Sequence, residues 1–107
     1  MKKFYALGTY SPESYQAFIE NPDQDRKTVV QELAKSMGGN VLSLEFLRGP
    51  FDFIVTAELE TFEDMAAIKL AVEASGACEV DIFETVDIND IARKAGKALS
   101  NYSPPSS

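Results

Sequence analysis

Residues 3–10, Lys-Phe-Tyr-Ala-Leu-Gly-Thr-Tyr, are apolar or aromatic at nearly every position and read as a first strand. Phe4, Ala6, Gly8 and Tyr10 point one way, with Tyr5 and Leu7 the other, and the pattern leaves open which set meets the core. Ser11-Pro12 predicts a helix start, because a serine oxygen can cap free amides and proline suits the first helical position. Tyr15, Phe18 and Ile19 give that helix one apolar face, and Asn21-Pro22 interrupts it. Val30, Leu33, Ala34 and Met37 then recur at helical spacing over about 23–37, and Gly38-Gly39 stops them.

Residues 41–47 and 51–58 predict two strands joined by a tight turn at Gly49-Pro50. With Arg48 opposite Phe51, the register sets Phe46 against Phe53, Leu44 against Val55 and Leu42 against Ala57, all on one face. Val41, Ser43, Glu45 and Leu47 then fall on the other face, opposite Glu58, Thr56, Ile54 and Asp52. Thr61 with Glu63 and Asp64 opens a helix that runs to about Ser75, where Gly76 ends it. Residues 77–86 alternate as a fourth strand, with Cys78, Val80 and Ile82 on one side and Glu79, Asp81 and Phe83 on the other. Asp87 caps a last helix whose apolar stripe is Ile88, Ile91, Ala92, Ala95 and Leu99.

The order is β-α-β-β-α-β plus a C-terminal helix, an α+β pattern that matches the ferredoxin-like split β-α-β. It predicts a four-stranded antiparallel sheet in the order 4-1-3-2, with the helices on one face. One domain is expected over residues 1–99, followed by a flexible tail over 100–107 that is too polar and prolyl to build a core. Helices cover only one side of such a sheet. The other side would mix Val41, Leu47, Ile54 and Phe83 with carboxylates, too apolar for simple solvation. It either packs on a second copy or stands as a half-wet surface. The helix at 61–75, apolar on most sides, calls for burial on more than one, which the C-terminal helix could supply.

Composition narrows the chemistry. A net charge of −7 with no basic cluster disfavours nucleic acid and anionic membranes. No apolar run reaches the roughly 18 residues of a spanning helix, so a cytoplasmic protein is expected. Histidine is absent, which removes the commonest metal ligand and the commonest general base. Cys78 is alone, so neither an intrachain disulfide nor a thiolate zinc site can form, and neither a metal nor a cofactor is expected.

Gly49-Pro50-Phe51-Asp52-Phe53-Ile54-Val55, about forty residues after the strand Tyr5-Ala6-Leu7-Gly8-Thr9-Tyr10, resembles the Gly-x-Tyr-Asp hairpin of the GYD-domain family, over roughly residues 3–95. Gly49, Phe51 and Asp52 hold the motif positions, with Phe51 where the family name has tyrosine. The resemblance implies a ferredoxin-like fold of the dimeric α/β-barrel kind, mostly in bacterial and archaeal proteins, and little about activity. A more distant likeness, to the effector-binding domain of leucine-responsive regulators, implies small-molecule binding between subunits.

Tyr10, Glu45, Asp52, Ile54, Asp81 and Phe83 are the candidate pocket residues. Asp52 is either a ligand-orienting carboxylate or a partner for turn amides and Arg48. Glu45 and Asp81 lie on opposite edge strands, as an acid pair across a dimer or as solvated acids. Tyr10, with Tyr15, either stacks on a planar ligand or belongs to the core. The expected protein is a homo-oligomeric small-molecule-binding or regulatory module without chemistry of its own. A cofactorless enzyme of isomerase or monooxygenase type and a protein-docking subunit are the alternatives.

Overall fold

Ser11 ends strand β1 (Lys2–Tyr10), and its hydroxyl accepts the Ser14 amide at 3.2 Å to open α1 (Pro12–Glu20). The same side-chain logic sets the later starts. Asp25 accepts the Thr28 amide at 3.1 Å, so α2 (Arg26–Ser36) begins three residues beyond the expected 23. Strands β2 (Asn40–Phe46) and β3 (Phe53–Leu59) follow, then α3 (Phe62–Ala74), capped by Thr61 on the Asp64 amide at 3.1 Å. Strand β4 (Cys78–Glu84) leads to α4 (Ile88–Ser100), capped by Asp87 on the Asn89 and Asp90 amides. These elements are seen in a computed structural model that describes residues 1–105. Residues 106–107, the end of the expected tail, lie outside the described residues.

The sheet is antiparallel throughout, in the order β2-β3-β1-β4, as the ferredoxin-like reading requires. Phe4, Ala6 and Gly8 face the helices, which decides the question that β1 left open. Phe4 and Leu59 are completely buried, and Ala34 from α2 and Met65 from α3 pack into the same core. Gly8 is required there, since a Cβ at that position would stand 2.1 Å from the Phe53 ring.

The hairpin register departs from expectation at one point. Phe46 pairs with Phe53, Leu44 with Val55 and Ser43 with Thr56 as expected, but Val41 then meets Ala57. Leu42 is the extra residue of a β-bulge, and such an insertion exchanges the faces of every residue beyond it. Val41, expected on the open face, is therefore buried in the core, and Leu42, expected inside, is exposed. The ladder also ends at Phe46–Phe53, so Arg48 does not pair with Phe51 within the strands. Gly49 lies in the connecting loop with φ of 148°, a conformation open to glycine.

Helix α4 stands off this body. All of its residues are exposed, and the Cα radius of gyration is 18.2 Å, against roughly 13 Å for a compact domain of about 100 residues. It does not cover the outer side of α3, where Leu70 remains 72% exposed.

Candidate functional site

Helix α2 leans over β2, while α3 leans over β4 and, less closely, β3. The sheet centre between them keeps an apolar cleft of about 180 Å³, floored by Ala6, Val55 and Val80 and walled by Leu33, Ile68 and Val72. An apolar cavity of roughly 150 Å³ stays dry and takes up benzene, so this cleft suits a small ring or a short acyl chain.

The polar groups of the cleft are few. Tyr10, Arg26, Lys69, Ser75 and Cys78 share its lining. Lys69 is engaged: its ammonium pairs with Glu73 at 2.7 Å and donates to the Val80 carbonyl, while the Val80 amide donates to Glu73 at 3.0 Å. Those bonds occupy the outward backbone groups of an edge strand and hold α3 on β4. The Lys69 ammonium and the Val80 amide hold the Glu73 carboxyl below its usual range. Arg26 is different, because among the described residues it forms no ion pair, although it is half-buried. It lies close enough to Tyr10 and Cys78 to pull both of their protons off more easily, yet burial prevails in each case. The Tyr10 phenol and the Cys78 thiol are both pushed above their ordinary ranges, and the thiol stays protonated at neutral pH.

Asp52 lies one residue before β3, bonded to the backbone of Tyr10. Its carboxylate accepts the Tyr10 amide at 2.8 Å and the Tyr15 phenol, while its own amide donates to the Gly8 carbonyl at 2.8 Å. The acid therefore ties the hairpin to the end of β1 and to α1, and its expected partner Arg48 takes no part. The carboxylate at its hydroxyl pushes the Tyr15 phenol up, with burial adding to the effect. Tyr10 packs on Phe53 at 4.9 Å and on Phe18 at 5.2 Å between ring centroids, so these aromatics serve one another first.

The candidate residues from sequence are thus divided between faces. Tyr10 is on the helix side. Glu45, Ile54, Leu7 and Asp81 form one row across the open side, and Ser43, Thr56, Tyr5 and Phe83 form the next. Glu45 and Asp81 are separated by three interstrand spacings, about 14 Å, and do not meet within one chain. Phe83 is 54% exposed among acids, which marks the open side as an apolar strip with carboxylate margins. Arg26 was missed by the sequence reading. Its signal was available, since it opens a helix whose inward face is otherwise aliphatic. Among the described residues no group of acids and cysteine has the spacing to hold a metal ion.

A family model described as GYD domain matches residues 4–95. No curated protein and no solved structure matches the chain.

Proposed function

We infer that this chain, which belongs to the GYD-domain family, is a self-associating module that binds a small amphipathic anion without transforming it. The observation that carries this reading is the apolar α2–α3 cleft with the half-buried Arg26 guanidinium among its lining groups, beside the Tyr10 phenol and without an ion pair among the described residues. Aliphatic walls favour a hydrocarbon body, and a guanidinium in partly desolvated surroundings favours a carboxylate or similar anion. Binding without chemistry is supported by the state of the nearby groups. Asp52 is occupied by an amide and a phenol, Tyr10 and Cys78 keep their protons at neutral pH, and the chain has no histidine.

Self-association is supported by the open sheet face, where half-buried Tyr5, Leu7 and Ile54 adjoin the exposed Phe83 in an apolar strip. A cytoplasmic setting suits the single thiol, which has no disulfide partner in the chain, and no helix of the described residues is long and apolar enough to cross a membrane.

Octanoate is a suitable probe, with calorimetric binding to the full chain as the measurement. Saturable binding is expected, weakened about tenfold by Arg26→Gln through loss of a charge-assisted contact. Val72→Phe should abolish it by filling the cleft. Absence of saturable binding, or binding indifferent to both substitutions, would remove the cleft as the ligand site.

A further inference from the structure

The α2–α3 cleft has two unlike ends, and the register of the sheet fixes which is which. Tyr10 pairs with Cys78 at one end, and Ala57 lies between Phe4 and Val41 at the other, six residues back along β1. Arg26, the first residue of α2, lies beside Tyr10. Ser75, the C-cap of α3, stands three residues before Cys78, so the polar lining gathers at the Tyr10 end. At the opposite end Ala34, Val41, Ala57 and Met65 line the cleft, and all four are buried. Phe4 and Leu59, both completely buried, continue the same core past that end. Tyr10 and Arg26 are only half-buried, which makes theirs the mouth.

We propose that the cleft holds a straight-chain monocarboxylate, its carboxylate between Arg26 and Tyr10 and its methyl end against Met65. The proposal deepens the binding reading above and rests on it, naming the ligand class, its direction and the residue that limits its length.

The head follows from donors and charge. A guanidinium only donates hydrogen bonds, so the Tyr10 hydroxyl beside Arg26 keeps its own proton to offer a ligand. The two side chains can then serve one carboxylate oxygen each. Lys69 is already paired with Glu73, which leaves one guanidinium to balance one negative charge. That suits a carboxylate better than a phosphate dianion. The body follows from shape. About 180 Å³ is spread along roughly 20 Å of strand between the two ends, a slot for one chain rather than a bowl for a ring. Ala34, Val41, Ala57 and Met65 offer no polar side chain, so a second carboxylate at the far end would be desolvated without a partner.

Calorimetry on the full chain tests this with even-numbered saturated acids from butanoate to tetradecanoate, each below its micellar concentration. Each added methylene should tighten binding about fourfold until the tail meets Met65, with no gain thereafter. The break is expected between about eight and twelve carbons, the smaller figure from the volume and the larger from the length of the slot. Met65→Ala should move the break to a longer acid. Tyr10→Phe should weaken every acid by about tenfold without moving the break. Octanedioate should bind at least about 100-fold more weakly than octanoate, and cyclohexylacetate, with the same carbon count in a ring, should also bind more weakly. These two comparisons need no variant, so they decide the matter if Met65→Ala does not fold. Saturable, Arg26-dependent binding that is equally tight for octanedioate or cyclohexylacetate would overturn the oriented slot while sparing the cleft as a ligand site. So would affinity that keeps rising through tetradecanoate, or a break unmoved in folded Met65→Ala. No saturable binding of octanoate would remove both readings.

Discussion

The Asp52 carboxylate accepts the Tyr10 amide at 2.8 Å across 42 residues of sequence, joining the family's hairpin to the end of the first strand. Asp52→Ala removes the acceptor for that amide and for the Tyr15 phenol at once. The expected loss is roughly 1.5–3 kcal/mol of folding stability, the usual range for a hydrogen bond to a charged group. Urea unfolding checks it. Asp52→Asn should recover part of the loss, because an amide oxygen still accepts a hydrogen bond.

Tyr15 and Tyr10 lead to an alkaline prediction. Both phenols have folded-state values above the ordinary tyrosine range, Tyr15 first through its bond to Asp52 and Tyr10 first through burial. A raised value means that the folded state holds the proton more tightly. The stability is therefore fully present below the unfolded value near 10 and declines as pH rises through the folded values. Phenolate absorbance should show these two tyrosines titrating late. Tyr15→Phe should remove the late transition that belongs to it and flatten the alkaline fall in stability.

Edge strand β4 gives the opposite sign at low pH. Glu73 is held below the usual carboxylate range by Lys69 and by the Val80 amide. Its contribution is present above the unfolded carboxylate value and is lost as pH falls through the depressed one. Glu73→Gln should make stability less steep in acid, and proton exchange at the Val80 amide should quicken. Unchanged exchange at Val80 would show that this amide does not depend on Glu73.

How much of this was legible in the residues differs by element. Caps were plain, since Ser11, Thr61 and Asp87 each sit one residue before a periodic run and each accepts the expected amides. Strand order followed from the βαββαβ pattern. The bulge was not legible, because Val41 and Leu42 are both aliphatic and alternation serves either register equally. Only burial against α2 and the sheet distinguishes them. The cleft was hidden for a similar reason: its volume depends on how far apart α2 and α3 stand, which is a property of packing and not of periodicity. The bond from Asp52 to Tyr10 has no spacing signature at all, so Arg48, close in sequence, was the natural but wrong partner.

Gly8 offers a packing test in a central strand. A methyl group there would lie within 3 Å of three ring atoms of Phe53, a side chain already in contact with Tyr10. Gly8→Ala should cost about 1–3 kcal/mol, the range for overpacking a well-filled core. Phe53→Leu alone should cost about as much by loss of aromatic volume. If the clash is the cause, the double substitution should be more stable than the sum of the two losses predicts, and thermal unfolding of the four proteins measures that difference.

Cys78 reports on the cleft directly. Burial raises the thiol above its ordinary range, and the nearby Glu73 adds to the effect, while Arg26 opposes it without prevailing. The thiolate is the reactive species, so alkylation by iodoacetamide near neutral pH should run more slowly than for a free cysteine. Arg26→Gln removes the opposing cation and should slow the reaction further. Because Cys78 and Arg26 line the same cleft, an anion seated against Arg26 should do so as well, both by cancelling its charge and by covering the sulfur. Octanoate should therefore protect Cys78 in the unmodified chain and protect it much less in Arg26→Gln. Equal protection in both would separate the thiol's environment from Arg26 and place the bound anion elsewhere.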